Sequence, residues 1–383
     1  MIKLRAAALS AIAFLSLVHS AMAQGFDTDA RQALLVDHGT GTVLFDKGAD
    51  ERIPPASLAK LMTMEVVFSR LRAGALSLED EVTISEDAWR RGGEASGGST
   101  MFLRPRSRVK VEDLIRGVIV QSGNDASIAL AEHVAGNEIT FARLMNERAA
   151  AIGMSDSTFR NATGLPDPEQ RVTLRDMVKL ARHLFETYPE YYTIYAERDF
   201  EWNRIRQPNR NPLLDADLGA DGLKTGYTEE SGYAIVASAS KDGRRLFLAL
   251  SGLESSRARA REATELLRWG WRAFEPRDLF GAGENVAEIR VYGGAAPSVP
   301  VTTGGPVTIF LPIAGRADLK AEVAYDGPVP APIREGDTIA VLRVRSDDRI
   351  TQETPLLAAR SVERGPIYMR ALDAAREFVQ FWN

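Results

Sequence analysis

Short, largely apolar runs near both ends of the first two thirds of the chain enclose several helical patterns. Residues 32–37 and 42–46 are two short strand-like runs, and the glycines of the turn between them favour a hairpin. A second pair of apolar runs, 233–237 and 246–250, predicts another hairpin. Apolar residues at helical spacing occupy the stretches 57–71, 112–120, 125–134, 139–152, 174–185 and 256–274. The pattern predicts an α+β domain in which helices cover an antiparallel sheet.

The first of these helical stretches is apolar on almost every face. Its apolar residues include Leu58, Leu61, Met62, Val66, Phe68 and Leu71. A helix without a polar face is expected to lie inside a domain. The stretches 112–120 and 125–134 are separated by a short break, which places Ser122 and Asn124 on a predicted turn. Gly153 and Thr173 are suited to a helix C-cap and N-cap, respectively.

Beyond Pro276 the pattern changes to short β-branched runs between glycines and prolines. The runs are 287–291, 307–311, 321–324 and 338–344, and they predict a small all-β domain. Residues 367–382 then show a helical pattern whose apolar face comprises Tyr368, Leu372, Ala375, Phe378, Val379 and Trp382. The acidic and basic residues of 363–383 balance, so electrostatics would contribute little to binding anionic lipid. This amphipathic helix is expected either to lie on a membrane or to dock on its own protein.

The N-terminus has the organisation of a secretory signal. Lys3 and Arg5 precede an apolar stretch, 6–18, and Ala21-Met22-Ala23 forms a small-residue cleavage site. The apolar stretch is shorter than the roughly 20 residues that an uncleaved membrane-spanning helix needs. We therefore expect a signal peptide at 1–23 and an exported chain. The remaining divisions are expected at 24–275 for the first domain, 276–362 for the β-rich domain and 363–383 for the terminal helix.

Composition narrows the possible chemistry. The 383 residues carry a formal net charge of -5, which provides no basic surface for nucleic acid. No cysteine is present, so disulfides and thiolate catalysis are excluded. The four histidines do not follow a metal-ligand spacing, and the sequence indicates neither a metal nor an organic cofactor.

Lys60 is the most unusual charge in the sequence because its neighbours are almost all apolar or small. A buried lysine tends to be neutral, since burial disfavours its charged form. Ser57 precedes it by three residues, and residues at this spacing share one face of a helix. The pair predicts a serine nucleophile beside a lysine that accepts its proton.

Two further motifs provide the groups that this chemistry needs, Ser122-Gly123-Asn124 and Lys224-Thr225-Gly226. Ser122 is predicted to relay a proton, and Asn124 to orient Lys60 and the substrate. Lys224 is expected to lower the pKa of Lys60 by repulsion.

The Lys224-Thr225-Gly226 motif also predicts how a substrate is held. Lys224 and Thr225 offer a cation and a hydroxyl to a substrate carboxylate. Gly226 would allow a close approach of the substrate backbone. The backbone N–H groups of Ser57 and Tyr227 are predicted to form an oxyanion hole.

Together, Ser57-Leu58-Ala59-Lys60, Ser122-Gly123-Asn124 and Lys224-Thr225-Gly226 resemble the motifs of the low-molecular-weight penicillin-binding proteins. The likeness is to the D-alanyl-D-alanine carboxypeptidases of the penicillin-binding protein 5 type, and it extends over essentially the whole mature chain. It implies a serine β-lactamase/DD-peptidase-like domain, a β-rich second domain and a C-terminal helix on the inner membrane. The implied substrate is a peptidoglycan stem peptide ending in D-Ala-D-Ala, and the implied inhibitors are β-lactams. The implied location is the periplasm.

The resemblance also identifies two arginines near the terminal carboxylate of the substrate, Arg210 and Arg259. Arg257 and Arg261 are close alternatives to Arg259, because the match of Arg259 to the family rests only on its alignment with Glu262 and Trp269. Tyr227 departs from relatives that have histidine after the glycine, which leaves open the fine specificity.

Three other functions remain to be distinguished. A class A β-lactamase uses the same three motifs together with a glutamate that activates water. Glu169 is the one glutamate between 161 and 174, and it lacks the expected spacing to an asparagine. A DD-endopeptidase would cleave cross-links with the same residues. A non-catalytic cell-wall scaffold would have no use for a lysine in an apolar helix.

Overall fold

The computed structural model describes residues 26–314, 319–346 and 349–380. The predicted signal peptide, the start of the mature chain near Gln24 and Trp382 of the predicted terminal helix lie outside these ranges.

The first region contains strands and helices in the order that the sequence pattern predicts. Its strands are β1 (Gln32–Asp37), β2 (Val43–Lys47), β3 (Glu81–Thr83), β4 (Arg108–Lys110), β5 (Asp199–Trp202), β6 (Ile205–Pro208), β7 (Ala220–Thr228), β8 (Gly232–Lys241) and β9 (Arg244–Leu253). Its helices are α1 (Lys60–Arg72), α2 (Glu86–Gly92), α3 (Val111–Val120), α4 (Asn124–Ala135), α5 (Glu138–Ile152), α6 (Leu174–Thr187), α7 (Pro189–Tyr192) and α8 (Ser256–Arg272).

Both predicted hairpins belong to one antiparallel sheet with the strand order β2-β1-β9-β8-β7. Helices cover both faces of this sheet. Ala33 and Leu35 of β1 face the core beneath α8, whereas Leu34 and Val36 face the larger core formed by the other helices. Since successive side chains of a strand point to opposite faces, a sheet covered on both sides needs apolar residues at nearly every position. The predicted fold class of the first region is confirmed.

Helix α1 crosses the larger core, as its apolar faces predict. One buried carboxylate on it, Glu65, ties the helix to its neighbours. Glu65 accepts hydrogen bonds from Arg148 Nε of α5 at 2.7 Å and from the Tyr188 hydroxyl at 3.0 Å. Because a buried carboxylate is stable only with such partners, these contacts fix the position of α1 relative to α5 and α6.

The capping predictions are confirmed, while several short elements were missed. Gly153 ends α5 with a φ of 80°, and Thr173 caps α6 by accepting a hydrogen bond from Asp176 N. Helices α2 and α7 and the short pairs β3–β4 and β5–β6 were not predicted, because they have too few residues for a periodic pattern. The helix predicted for 256–274 ends at Arg272.

The second region is an all-β domain with its own apolar core. Its strands are β10 (Phe274–Phe280), β11 (Asn285–Tyr292), β12 (Ser298–Thr303), β13 (Val307–Pro312), β14 (Leu319–Ala324), β15 (Val329–Pro330), β16 (Thr338–Ser346) and β17 (Arg349–Ala358). Strands β10, β12, β15 and β17 were not predicted. Thr42 Oγ1, just before β2, donates to Gln352 Oε1 at 2.8 Å. The all-β domain therefore contacts the β2 edge of the first sheet.

Helix α9 (Ile367–Gln380) follows the all-β domain. Gly293 N donates to Asp373 Oδ2 at 2.9 Å, which attaches the helix to that domain. Among the residues described, no helix combines the length and the apolar character needed to cross a bilayer.

A short 3₁₀ turn, Ala56–Ala59, leads into α1 and is confined by two glycines. Gly226 of β7 lies beside it, since a Cβ there would be 3.2 Å from Ala56 Cβ. Gly164 is closer still, because a Cβ on it would lie 1.8 Å from the Ala56 carbonyl oxygen. Ala56 itself has a φ of 47°, which is unusual for a residue with a side chain. The turn is therefore held in a strained conformation by the surrounding backbone.

We expect Gly164→Ala to destabilise the protein far more than a glycine replacement that is strained but unobstructed. Gly164 has a φ of 81°, and Gly136 has a similar φ of 78° with no atom within 4 Å of the position that a Cβ would take. Gly136→Ala should cost about 1 kcal/mol from the backbone conformation alone. Gly164→Ala should cost about 3 kcal/mol, because the collision with Ala56 adds to that strain. Urea unfolding of both variants measures the two losses of stability. Equal losses would contradict the predicted collision between the new Cβ and Ala56.

Candidate active site

The predicted nucleophile and base are adjacent, but the helix does not begin where the sequence suggested. Ser57 lies in the 3₁₀ turn, and α1 starts at Lys60. In a 3₁₀ turn, residues three apart are eclipsed, so the turn aligns the two side chains more directly than an α-helix would. Lys60 Nζ lies 3.1 Å from Ser57 Oγ. Ser57 is half-buried, and Lys60 is completely buried.

Two oxygen atoms in addition to Ser57 Oγ lie within hydrogen-bond distance of the Lys60 amine. Lys60 Nζ donates to Asn124 Oδ1 at 2.7 Å and to the Thr163 carbonyl at 2.6 Å. A neutral amine has two N–H groups and one lone pair. With both N–H groups engaged, the lone pair is left for the hydroxyl of Ser57.

The electrostatic surroundings favour this neutral form. Burial lowers the pKa of Lys60 to about 7, and the positive charge of Arg210 acts in the same direction. The carboxylates of Asp125 and Glu138 oppose the shift. Repulsion between Lys60 and Lys224, which the sequence predicted, lowers the pKa of Lys224, and Arg210 is a further cation that lowers the pKa of Lys60.

The second motif lies at the junction of α3 and α4. Ser122 occupies the turn with a φ of 62°, and its buried Oγ has no hydrogen-bond partner among the residues described. Asn124 was predicted on the turn but forms the first residue of α4. This position directs its side-chain oxygen to Lys60. The break between the helices thus places Asn124 Oδ1 against Lys60 and leaves Ser122 Oγ available for a further hydrogen bond.

The third motif lies on the edge strand β7. Lys224 is buried, its Nζ donates to the Thr225 carbonyl at 3.2 Å, and Thr225 is also buried. Burial, followed by the positive charges of Lys60, Arg210 and Arg259, holds the pKa of Lys224 well below its ordinary value.

Gly226 and Tyr227 complete the strand segment beside the nucleophile. The Cβ position of Gly226 faces Ala56, Leu58 and the Pro55 carbonyl. A Cβ there would make tight contacts of 3.2–3.3 Å, so the packing of the chain on itself disfavours a side chain at this position, in addition to the substrate approach that the sequence suggested. Tyr227 is exposed, and its ring packs on Tyr233 with the centroids 4.3 Å apart.

The structure separates the three arginines at the start of α8. Arg261 pairs with Asp29 and Glu262, and Arg257 is exposed. Arg259 instead lies over the Tyr233 ring, with Cζ 5.7 Å from the centroid, and its buried Nε has no hydrogen-bond partner among the described residues. Burial is the main cause of the lowered pKa of Arg259, Tyr233 opposes it, and Arg210 adds to it. Arg259 is therefore the arginine of this helix that shares an electrostatic environment with Arg210 and Lys224.

Within the described part of the chain, no ion pair neutralises Lys224, Arg210 or Arg259. Arg210 is exposed, but its charge influences the pKa values of Lys60, Lys224 and Arg259. A cluster of basic groups without carboxylate partners is suited to binding an anionic group from outside the protein, whose negative charge would favour the protonated form of Lys224.

Three residues that support the site were missed by sequence reasoning. Asp125 is completely buried and accepts hydrogen bonds from Thr100 Oγ1, Met101 N and Leu103 N at 2.6–3.0 Å. It thereby fixes the segment before β4 against α4. Thr163 contributes a backbone carbonyl, which no residue-type motif can reveal. The third is Glu138, the first residue of α5. Of these three residues, only Asp125 had a sequence signal that could have revealed it: it directly follows Asn124 of the second motif.

Both regions of the chain match known protein families. The family model for D-alanyl-D-alanine carboxypeptidase, peptidase family S11, matches residues 18–253, and the model for the penicillin-binding protein 5 C-terminal domain matches residues 274–364. The D-alanyl-D-alanine carboxypeptidase DacC of Escherichia coli K12 is 39% identical over 348 residues, covering 90% of this chain and 87% of the relative.

Relatives from Haemophilus influenzae agree in sequence and in structure. The D-alanyl-D-alanine carboxypeptidase DacA of that organism is 37% identical over 90% of this chain and 88% of its own length. The crystal structure of its penicillin-binding protein 5 superposes with a TM-score of 0.73 at 37% identity, covering 89% of this chain and 99% of that one. The chain therefore belongs to the D-alanyl-D-alanine carboxypeptidase family, peptidase family S11, with the C-terminal domain of penicillin-binding protein 5.

Proposed function

We propose that this protein is a serine-type carboxypeptidase that removes the terminal D-alanine from peptidoglycan stem peptides ending in D-Ala-D-Ala. The observation that carries the proposal is the buried Lys60 amine, which is hydrogen-bonded on two sides and lies 3.1 Å from Ser57 Oγ. The names of the relatives supply the substrate class. Relatives crystallised with cefotaxime and ampicillin support β-lactams as inhibitors of this chain.

In the proposed acylation, neutral Lys60 takes the proton of Ser57 as its Oγ attacks the carbonyl between the two D-alanines. A bond forms between Oγ and the carbonyl carbon, and the N–H groups of Ser57 and Tyr227 stabilise the oxyanion. The C–N bond then breaks, and the proton passes from Lys60 through the Ser122 hydroxyl to the leaving amine. Water completes the cycle by hydrolysing the acyl-enzyme.

The cation cluster is proposed to recognise the carboxylate of the leaving D-alanine. Lys224 and Thr225 on β7, together with Arg210 and Arg259, provide the charges and the hydroxyl. Because these charges have no carboxylate partner within the described residues, a substrate carboxylate would neutralise them. Gly226 keeps the strand close to the Ser57 turn, so recognition and attack take place side by side.

Glu169 gives no support to the β-lactamase alternative. It lies on the surface, with 71% of its side chain exposed, and pairs with Arg160 at 3.3 Å. A glutamate that activates water for deacylation must instead reach the acyl group on Ser57. A penicilloyl-enzyme of this chain should therefore hydrolyse slowly.

The proposal includes an exported chain composed of a signal peptide at 1–23, a catalytic domain at 24–275, a β-rich domain at 276–362 and a terminal segment at 363–383. We place the mature protein in the periplasm, peripheral to the outer face of the inner membrane. Support for membrane contact comes from Ile367 and Tyr368 at the start of α9, which are 81% and 70% exposed. Exposed apolar residues at the end of a chain are suited to an interfacial anchor.

The test of the function is intact-mass analysis after exposure to penicillin. Wild-type protein should gain one penicilloyl group and release it slowly, whereas Ser57→Ala should gain none. Ser155→Ala, which changes an exposed serine, is the matched control and should label normally. Labelling of Ser57→Ala would refute the mechanism, rapid release would indicate a β-lactamase, and labelling without D-alanine release from a D-Ala-D-Ala peptide would indicate a scaffold. Cleavage of a cross-linked dimer measures endopeptidase activity in the same preparation.

Acylation should have an acidic limb centred near the pKa of Lys60, about 7. Below that pH, Lys60 is charged and has no lone pair for the Ser57 proton, so the rate should fall as pH falls. Lys60→Arg should lose this limb and acylate slower by about a hundredfold or more, because a guanidinium stays protonated. Stopped-flow acylation from about pH 5.5 to 8.5 measures the profile. Lys241→Arg, at the exposed end of β8, is the control, and a flat wild-type profile would count against Lys60 as the base.

Membrane contact predicts that the chain sediments with phospholipid vesicles and that anionic lipid adds little, since the charges of 363–383 balance. Replacing Ile367 and Tyr368 by serine should abolish sedimentation. Ile139→Ser, which removes another exposed apolar side chain, should leave it unchanged. Equal sedimentation of both variants would show that α9 is not the anchor.

A further inference from the structure

Glu138, the first residue of α5, lies outside the three motifs but contacts two segments that border the site. Its side chain is 12% exposed. One carboxylate oxygen accepts from Ala162 N at 3.0 Å, and the other accepts from Arg91 Nη2 at 2.8 Å. Each contact continues to a different hydrogen-bond acceptor of Lys60.

The first contact holds the loop that carries the Thr163 carbonyl. Ala162 directly precedes Thr163, whose carbonyl oxygen lies 2.6 Å from Lys60 Nζ. Thr63 Oγ1 of α1 donates to the Ala162 carbonyl at 2.7 Å. Asn161 Oδ1 accepts from Thr163 N and Gly164 N at 3.2 Å and 2.8 Å. Glu138 adds a bond to Ala162 N in the same loop. Together these bonds fix the direction of the Thr163 carbonyl.

The second contact supports the start of α4, where Asn124 lies. Arg91 immediately precedes Gly92, whose backbone touches this helix start so closely that a Cβ would lie 2.2 Å from Asp125 N and 2.5 Å from the Asn124 carbonyl carbon. Glu138 therefore holds the end of α2 against the residue whose side-chain oxygen accepts the other Lys60 hydrogen bond.

We propose that Glu138 is a positioning residue that holds both acceptors of Lys60, the Thr163 carbonyl through Ala162 and the Asn124 amide through Arg91. The inference rests on the proposed function, because it concerns the base of that reaction. Glu138 does not touch the reacting atoms; it acts on the geometry of Lys60. Loss of this geometry should lower the acylation rate with little effect on substrate affinity, since the cation cluster is not involved.

The charge of Glu138 gives the proposal a second, independent readout. The charged groups that face Lys60 are Asp125 on α4, Glu138 on α5, Arg210 before the turn at 212–215 and Lys224 on β7. The carboxylate of Glu138 raises the pKa of Lys60, so its removal lowers that pKa. A lower pKa keeps Lys60 neutral at lower pH, and the acidic limb of acylation should therefore move toward lower pH.

The test compares two replacements of Glu138 with one on the same helix. Glu138→Gln preserves the shape of the side chain and an acceptor for Ala162 N but removes the charge. Glu138→Ala removes both contacts. Glu147→Gln changes an exposed glutamate of α5 and is the matched control. Acylation by a β-lactam is followed against pH at a temperature well below the unfolding transition of each variant, and kcat and KM are measured with a D-Ala-D-Ala peptide.

We expect Glu138→Gln to move the acidic limb down by about half a pH unit. Glu138→Ala should lower kcat by about tenfold, with KM nearly unchanged. Glu147→Gln should match the wild type in both. A lower unfolding temperature of the Glu138 variants with unchanged limb and kcat would overturn the inference, as it would indicate a purely structural role. Glu138→Gln carries this test alone if Glu138→Ala does not fold.

The proposed function is tested separately in the same experiment. Failure of wild-type protein to acylate on Ser57 would overturn the proposed function together with this inference. Normal wild-type acylation with unaffected Glu138 variants would overturn the positioning role alone.

Discussion

The site depends on keeping one amine buried, neutral and directed at a hydroxyl. A neutral amine donates two N–H groups and retains a lone pair that can take the proton of a hydroxyl, whereas an ammonium has no lone pair. Asn124 and Thr163 supply the acceptors for the two N–H groups. The 3₁₀ turn before α1, the break between α3 and α4 and the loop at 161–165 each place one atom around Lys60. Their geometry therefore has to be set by the fold before substrate arrives.

The sequence predicted the pairing of Ser57 with Lys60 because spacing of three aligns side chains in both α- and 3₁₀-helices. It likewise predicted the strands of the central sheet, since short runs that are apolar at nearly every position suit strands whose two faces are both covered. It did not reveal the Thr163 carbonyl, because backbone atoms leave no trace in residue type. Asp125 and Glu138 were missed for a related reason: their partners are far away in sequence and mostly backbone N–H groups.

The structure adds packing information on two of the predicted site residues, Gly226 and Arg259. Gly226 lies against Ala56 and Leu58, so a side chain there would first displace the nucleophile turn. Arg259 could not be separated from Arg257 and Arg261 by sequence, because all three lie within the first two turns of α8. The helix direction decides between them, since it turns Arg259 toward Tyr233 and Arg261 toward Asp29.

Activation of the nucleophile and recognition of an anion share one charge, that of Arg210. This exposed guanidinium lowers the pKa values of Lys60, Lys224 and Arg259, and it pairs with no carboxylate among the residues described. A carboxylate of the protein in this position would neutralise the cluster and allow Lys60 to remain protonated. The absence of such a partner therefore has two consequences: the cations stay available for an anionic substrate, and the base stays neutral.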